Sequence, residues 1–323
     1  MSSNSDLALT NREKNKSINT NNITPLSRQK KEKRTQSLTI LLFLLPALVI
    51  YLIFILYPII ATFNYSLYNW NGMGEKVFIG LENFSRLFSD QIFWTALKNN
   101  LYLVGVSVFV QVPLGLVMAL VLLSRIRGKK VLNVIYFLPY LMSSVAIGLL
   151  WVFMYDPVKG PVNQLLNIFG IDSVHWLASN QMAIVAVLIV LVWQFAPFYM
   201  ILFKASLVGI PEELYEAANI DGANSIQQFF YVTLPSLMPT IVSSSILAVV
   251  GSLKTFDMFY VMLGGGSGSA TEILGTYMYK QSFINFNMGY GSAIASMMFI
   301  LALVSTIIIL FSDNKRVKRG ESK

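Results

Sequence analysis

The polar segment Pro211–Pro239, PEELYEAANIDGANSIQQFFYVTLPSLMP, lies between two long apolar runs of this 323-residue chain. Pro211 suits the first position of a helix, and Glu212 and Glu213 complement the positive end of the helix dipole. Gly222 follows at the place where a helix can end in the left-handed conformation. The segment therefore predicts a short helix that Gly222 terminates.

A second short helix is predicted after Gly222. Ser225, with Gln228 three residues on, is typical of a capping box that opens a helix. Leu234-Pro235 should end that helix before the next apolar run. The two helices share a face of small residues: Ala217, Ala218, Gly222 and Ala223. Because such a face lets another surface come close, we predict a helix-turn-helix outside the bilayer that serves as a docking element.

The composition indicates a membrane protein. Hydrophobic residues make up 55% of the chain and charged residues 12%, against about 25% charged residues in soluble domains. The apolar residues fall into runs near the ~20 residues that cross the ~30 Å hydrocarbon core of a bilayer. We predict an all-α polytopic membrane protein with six transmembrane helices.

The predicted spans cover residues 38–60, 101–123, 131–154, 182–203, 237–263 and 293–311. They form a transmembrane domain, 38–312, that contains the docking element, 211–239. A polar N-terminal tail, 1–37, is expected to be disordered, and a short basic tail, 313–323, follows the domain.

The distribution of Lys and Arg predicts the orientation in the membrane. With six spans, the segments on the side of the termini hold 18 of these residues, and the opposite segments hold 5. Since basic residues accumulate on the cytoplasmic side, both termini and the segment 211–239 should be cytoplasmic. The net charge of +8 has the same origin, so it does not indicate a nucleic-acid partner.

Several kinds of chemistry are excluded or unsupported. The chain has no cysteine and a single histidine, His175, so disulfides, thiolate catalysis and Cys-ligated metals are excluded. No HExxH motif or nucleophile–His–acid set is present, and the glycine-rich stretch Gly264–Gly268 lacks the Lys-Ser/Thr pair of a nucleotide loop. We interpret that stretch as a flexible outer turn. We predict no enzymatic activity, no bound metal and no cofactor.

Two outer loops carry signals of local structure. The loop 61–100 combines aromatic residues with glycines, which fits a short amphipathic helix that either anchors at the membrane interface or contacts a receptor. The loop 155–170 has turn residues followed by a short apolar helix.

Charged residues inside apolar runs are costly in hydrocarbon, so the few that occur are candidates for function. Lys254 and Asp257 are such charges in the predicted fifth span, and their i, i+3 spacing would let them pair on one helix face. Lys254 would lie roughly 21 Å along the span, in its outer third. It either snorkels to the outer interface or lines an outward-facing cavity.

Gln111 and Gln194 lie nearer the middle of their spans, close to Pro113 and Pro197. Amide groups on kinked helices can line a sugar-sized cavity and bond hydroxyl groups. They can equally hold neighbouring helices together. Both interpretations stay open from the sequence.

Eight residues of the docking element keep a fixed spacing: Glu216-Ala217-Ala218, Asp221-Gly222-Ala223 and Leu234-Pro235. This pattern resembles the loop signature of permease subunits of binding-protein-dependent ABC importers. In that family the loop fits a cleft on the cytoplasmic ATPase and transmits its closure to the membrane helices. The resemblance therefore implies that these eight residues couple the chain to an ATPase, and that the fold is that of a type I ABC importer permease.

Other stretches are similar to the same family. Phe137-Leu138-Pro139 occurs in the third span, and Phe256-Asp257, Gly264–Gly266 and Gly289–Ser292 are most similar to members that import oligosaccharides or glycerol 3-phosphate. Ser267 stands where those members usually have a proline. The candidate residues of the substrate path are Gln111, Gln194, Lys254, Phe256 and Asp257.

The resemblance implies several partners: cytoplasmic ABC ATPase subunits, a homologous second permease and an extracellular solute-binding protein, all within or beside membrane lipid. The chain itself would carry no ATPase activity. The alternative is a self-sufficient secondary transporter driven by an ion gradient. Such a protein is expected to show buried acidic relay residues and inverted repeats. Here one Asp lies near an outer edge, and no repeat is evident.

Overall fold

The computed structural model describes residues 40–124, 127–178, 180–264 and 269–320. The predicted N-terminal tail and residues 265–268 of the glycine-rich stretch lie outside these ranges. Residues up to Ile60 and residues from Ala61 form two separate compact units.

The described chain is mainly helical. One antiparallel hairpin pairs Tyr68–Asn69 (β1) with Val77–Phe78 (β2). The helices of the first half are α1 (Ile40–Tyr65), α2 (Glu82–Ser89), α3 (Gln91–Leu123), α4 (Lys129–Leu141), α5 (Ser144–Met154), α6 (Pro161–Ile168) and α7 (Asn180–Val208). The helices of the second half are α8 (Glu212–Ile220), α9 (Ser225–Ser236), α10 (Met238–Leu253), α11 (Asp257–Leu263), α12 (Leu274–Tyr279) and α13 (Met288–Gly320). Wider π-helical turns are found at Leu52–Leu56, Ser107–Gln111, Phe229–Thr233 and Lys280–Ile284, and a 3₁₀ turn at Ser269–Thr271.

Four helices are long and apolar enough to cross a membrane: α1, α3, Met182–Val208 of α7 and Met288–Asp313 of α13. Two pairs, α4 with α5 and α9 with α10, meet the same conditions together but are bent by 99° and 63°. The described residues therefore provide four spans, or six if each bent pair crosses once. The second count equals the six predicted spans, although the pair α9 with α10 begins at Ser225 and ends at Leu253, whereas the predicted fifth span is 237–263.

The third predicted span, 131–154, is a bent pair and not one straight helix. α4 ends two residues after Pro139, and Ser143 is extended (ψ 133°) before α5 begins. Proline has no N–H to donate, and its ring crowds the preceding turn. The bend follows this weakened turn.

The fifth predicted span, 237–263, is interrupted between α10 and α11. Phe256 leaves the helical conformation (φ −142°, ψ −58°). The Ser252 carbonyl accepts hydrogen bonds from the Asn100 side chain (3.1 Å) and from the Thr255 N–H (3.3 Å). In a continuous α-helix the N–H of Phe256 would bond that carbonyl.

The interruption corrects the predicted pairing of Lys254 with Asp257. Lys254 caps the end of α10, while Asp257 begins α11, so the two residues do not share a helix face. Both side chains are exposed, and no ion pair joins them in the described part of the chain.

α3 and α7 pack closely at Gly115. A Cβ atom at this position would come within 2.6 Å of the Tyr199 Cβ and 2.9 Å of the Met200 backbone nitrogen. Buried apolar side chains around the contact include Val112 and Phe203. Because Gly115 has no side chain, α3 and α7 can approach each other this closely.

The short helices predicted in the outer loops are present as α2 and α6. On α2, the buried Asn83 donates to the Ser66 carbonyl (2.8 Å). On α6, the buried Asn163 donates to the Val174 carbonyl (3.0 Å). Each loop is thus held by a buried amide that bonds the backbone.

Candidate functional site

The predicted docking element consists of α8 and α9. α8 begins one residue later than predicted, because Pro211 is extended (ψ 135°) and precedes the helix. Gly222 has a φ of +76°, and its N–H donates to the Asn219 carbonyl (3.1 Å). The Ala223 N–H donates to the Ala218 carbonyl (2.9 Å). These two bonds form a Schellman cap, which confirms the predicted left-handed end of the helix.

The capping box of α9 lies one residue earlier than predicted. The Asn224 side chain accepts from the Gln227 N–H (2.9 Å), and the Gln227 side chain accepts from the Asn224 N–H (2.8 Å). Ser225 and Gln228 were predicted in these roles. Asparagine is as good an N-cap as serine, and the turn after α8 brings Asn224 to the extended position (ψ 168°).

The sequence predicts that α9 ends at Leu234-Pro235, but in the structure α9 ends at Ser236. The π-helical turn Phe229–Thr233 precedes this pair, and the Leu234 N–H closes that wide turn. Pro235 then stands in the first turn of a new α-helical segment, where its missing N–H leaves no bond unmade. The chain bends afterwards, at Leu237.

Side chains join the two short helices. The Gln228 Nε2 donates to the Asn219 Oδ1 (2.6 Å), and the Tyr215 hydroxyl bonds the Thr233 hydroxyl (2.9 Å). Because the C-terminus of α8 and the N-terminus of α9 are also capped, the two helices are held together as one unit.

The surface of this unit is both acidic and apolar. Between residues 211 and 239 there is no Lys or Arg, and four acidic side chains are exposed: Glu212, Glu213, Glu216 and Asp221. Ile220, Ile226 and Tyr231 are 87%, 70% and 80% exposed. The small-residue face lines a groove of about 420 Å³. Exposed apolar side chains beside a groove are typical of a docking surface.

A second candidate site is a cavity of about 100 Å³ between α3, α7 and α10. The residues that line it are Leu103, Ser107, Gln111, Leu191, Phe195, Phe198, Tyr199, Ala248, Gly251, Ser252 and Thr255. Aromatic rings with a few hydroxyl and amide groups can hold a polyhydroxylated solute. A larger, mainly apolar groove of about 780 Å³ between α3, α10 and α13 contains none of the predicted site residues.

Of the two glutamines predicted from the sequence, only Gln111 lines the cavity. It is buried at the end of the π-helical turn Ser107–Gln111, and its amide has no hydrogen-bond partner among the described residues. Gln194 is also buried, but its Nε2 donates to the Met142 carbonyl (3.3 Å) and the Ser144 hydroxyl (3.1 Å). Gln194 therefore braces the bend between α4 and α5.

The other three predicted path residues, Lys254, Phe256 and Asp257, lie at the break after α10, next to Thr255 of the cavity wall. The Phe256 ring contacts Tyr260 (centroids 5.1 Å apart) and Tyr279 (5.2 Å). None of these three predicted residues lines the cavity itself.

Of the eleven lining residues only Gln111 was predicted from the sequence, although the spacing of several others carries a signal. Ser107 and Gln111 are four residues apart on α3, and Phe195 and Tyr199 are four apart on α7. Residues at i and i+4 share a helix face, so each pair could have been recognised as facing one neighbour.

A carboxylate network lies at the N-terminus of α3. The Asp90 carboxylate accepts hydrogen bonds from the hydroxyls of Tyr277 and Tyr290 and from the Ile92 N–H (2.8 Å). Burial raises the pKa of the Asp90 carboxyl, but these bonds outweigh burial and hold the pKa below its ordinary value. Asp90 is therefore a carboxylate at neutral pH and links α3 to α12 and α13.

Comparison with known proteins identifies the family of the chain. Residues 111–318 match the family described as the inner membrane component of binding-protein-dependent transport systems. The chain is 39% identical over 272 residues to the probable ABC transporter permease YurN of Bacillus subtilis, which covers 83% of this chain and 93% of YurN. It is 37% identical over 270 residues to the trehalose/maltose transport permease MalF of Thermococcus litoralis, which covers 83% of this chain and 91% of MalF.

A solved structure has the same fold. A bacterial ABC transporter that imports the acidic polysaccharide alginate contains a chain with a TM-score of 0.77 and 24% identity, covering 89% of this chain and 99% of that one. The family match covers more than half of the sequence, and the two relatives align over most of their length. This chain therefore belongs to the family of inner membrane components of binding-protein-dependent transport systems.

Proposed function

We propose that the chain is the membrane-spanning subunit of an ATP-driven importer of a sugar or a related polyol. The observation that carries this proposal is the lining of the cavity, which combines aromatic rings with hydroxyl and amide groups and contains no charged side chain. Such a lining suits a neutral polyhydroxylated solute. The similarity to a trehalose/maltose permease supports the same class of solute. Family membership also argues against the ion-coupled secondary transporter considered above.

The proposed partners are cytoplasmic ABC ATPase subunits, a homologous second permease and an external solute-binding protein. The residues proposed to contact the ATPase are Glu216, Ala217, Ala218, Asp221, Gly222, Ala223, Leu234 and Pro235. The groove and the exposed apolar side chains of α8 and α9 support this role. ATP hydrolysis is then supplied by the partner, and this chain performs no catalysis.

Gln111 is the residue we propose to contact the solute directly. Lys254, Phe256 and Asp257 lie where a solute would approach the cavity, and Gln194 acts indirectly through the bend between α4 and α5. The cavity of about 100 Å³ is smaller than the roughly 300 to 1,000 Å³ of typical ligand sites. A wall of the cavity must therefore move during transport.

Replacing Gln111 by leucine tests the proposed path. The change removes an amide that has no hydrogen-bond partner in the described part of the chain, so the fold should persist while the half-saturating solute concentration rises about 3- to 10-fold, the effect of one lost hydrogen bond. Proteoliposomes that contain the chain with its ATPase and second permease would be assayed for ATP-driven uptake of maltose, trehalose and glycerol in the presence of the binding protein. Gln111→Asn, which keeps an amide, is the control. Identical uptake of every transported solute by Gln111→Leu would contradict the proposed contact.

We also propose that both termini are cytoplasmic, on the basis of the distribution of Lys and Arg. Since the chain has no cysteine, single cysteines at Ser17, Ser85, Ser173 and Ser225 can report the orientation. An impermeant maleimide added to intact cells should label positions 85 and 173, and label positions 17 and 225 only after permeabilisation. Labelling of positions 17 and 225 in intact cells, without labelling at 85 and 173, would reverse the topology.

A further inference from the structure

Asn100, on α3, caps the ends of two other helices at once. Its side chain is fully buried; the Nδ2 donates to the Ser252 carbonyl (3.1 Å), and the Oδ1 accepts from the Leu274 N–H (2.7 Å). The first group belongs to the last turn of α10 and the second to the first turn of α12. Such terminal groups have no partner within their own helix. One amide, with a donor and an acceptor, therefore bonds both, although the Ser252 carbonyl also accepts from the Thr255 N–H (3.3 Å).

Asn99 extends this contact to the segment before α12. Its Nδ2 donates to the carbonyls of Ala270 (2.9 Å) and Glu272 (2.7 Å). The buried Glu272 side chain pairs with Lys280 and accepts from the Thr276 hydroxyl (2.5 Å). The segment that leads into α12 is thus fixed to α3 by buried polar bonds.

The groups that Asn100 caps border the cavity. Ser252 lines it, and the Ser252 hydroxyl donates to the Ser107 hydroxyl (2.8 Å) on the opposite wall. Thr255 also lines it, and its carbonyl lies so close to α12 that a Cβ at Gly275 would come within 2.8 Å. Separating α3 from α10 and α12 would widen the cavity, and it would break both bonds of Asn100 together.

We propose that Asn100, supported by Asn99, is a latch that holds the wall of the cavity closed. The bonds are buried, so breaking them costs the Leu274 N–H and the Asn100 amide these partners and leaves the Ser252 carbonyl its bond from the Thr255 N–H, unless water or another surface replaces them. The wall therefore has a closed arrangement with all bonds made and an open one in which they are exchanged. This inference rests on the proposed function, because it takes the cavity as the solute path, and it adds two positioning residues outside the lining.

The test measures access to the wall and not transport. Ser252→Cys introduces the sole cysteine of the chain at a buried position of the lining. In intact cells without added solute, an impermeant maleimide should label this cysteine slowly. Adding Asn100→Leu should raise the labelling rate about tenfold or more, the factor expected from the loss of two hydrogen bonds. Asn99→Leu should raise the rate by a smaller factor.

Asn163→Leu is the matched control, because Asn163 is a similarly buried amide whose hydrogen bonds to described residues all go to the loop around α6. It should leave the labelling rate of Ser252→Cys unchanged. Variants are compared only if they elute with the ATPase as a single species from size exclusion. An unchanged rate in both Asn100→Leu and Asn99→Leu overturns the latch. If the labelling rate rises only in inside-out vesicles, the latch is supported but the proposed orientation is wrong. If the labelling rate rises while Gln111→Leu leaves uptake unaltered, the latch is supported but the proposed sugar path is wrong.

Discussion

A valine at Gly222 should lower solute uptake at least about tenfold while leaving the chain inserted in the membrane. The left-handed conformation costs an L-residue about 1 to 2 kcal/mol, too little to unfold the spans. Among the residues that the structure describes, a Cβ at Gly222 meets no atom within 4 Å. The steric effect therefore falls on whatever occupies the groove of α8 and α9. Co-purification of the ATPase and the ratio of ATP hydrolysed to solute imported would measure the loss.

Glu216→Lys should have a similar effect for an electrostatic reason. It reverses one of four acidic charges in a segment without any basic residue, so a partner that complements this surface meets repulsion. Gly170→Val is the matched control for Gly222→Val. Gly170 has a φ of +74°, and no atom of the described residues lies within 4 Å of its Cβ position, but it lies in the loop after α6, 52 residues before Gly222. If Gly222→Val and Glu216→Lys both transport at the normal rate with the ATPase bound, the docking role of this element is wrong.

Gly115→Val should destabilise the helix bundle by about 1 to 3 kcal/mol or more, the usual effect of overpacking. The new side chain would collide with backbone as well as side-chain atoms of α7, and backbone atoms cannot rotate away. Since the cavity lies between α3 and α7, we expect uptake to be lost as well. The midpoint of thermal unfolding in detergent would report the first effect, and proteoliposome uptake the second.

Gly105→Val provides the control on the same helix. A Cβ at Gly105 meets no atom within 4 Å in the described ranges, and the cost of valine in a helix is the same at both positions. This variant should unfold within a few degrees of the parent chain. Equal unfolding midpoints for the two valine variants would show that the close approach of α3 and α7 does not limit stability.

Features set by neighbouring residues were predicted well from the sequence. The left-handed end at Gly222 needs only the residues of one turn, and the structure has it where predicted. The capping box was displaced by one residue because Asn224 and Ser225 are nearly equal as N-caps. The backbone geometry of the turn after Gly222 determines which of the two residues is the N-cap, and residue type alone does not indicate that geometry.

Features set by distant residues were not predictable. The break after α10 occurs where the side chain of Asn100, on α3, donates a hydrogen bond to the Ser252 carbonyl. No sequence signal between residues 237 and 263 indicates this break. The two glutamines illustrate the same limit. Gln111 and Gln194 have similar depth and a nearby proline, but the packing of neighbouring helices turns the first toward the cavity and the second toward the bend. Hydropathy and depth carry no information on the face that a residue occupies.

The double cap at Asn100 also has a consequence for biosynthesis. Its two backbone partners lie 152 and 174 residues further along the chain. At roughly 5 to 20 residues per second, a ribosome needs roughly 9 to 35 s to add the second partner after it has added Asn100. During this interval α3 carries two adjacent amides without their final bonds, in a helix that must already enter the bilayer. The end of α3 that carries Asn99 and Asn100 therefore reaches its final bonds only when α10 and α12 have been made.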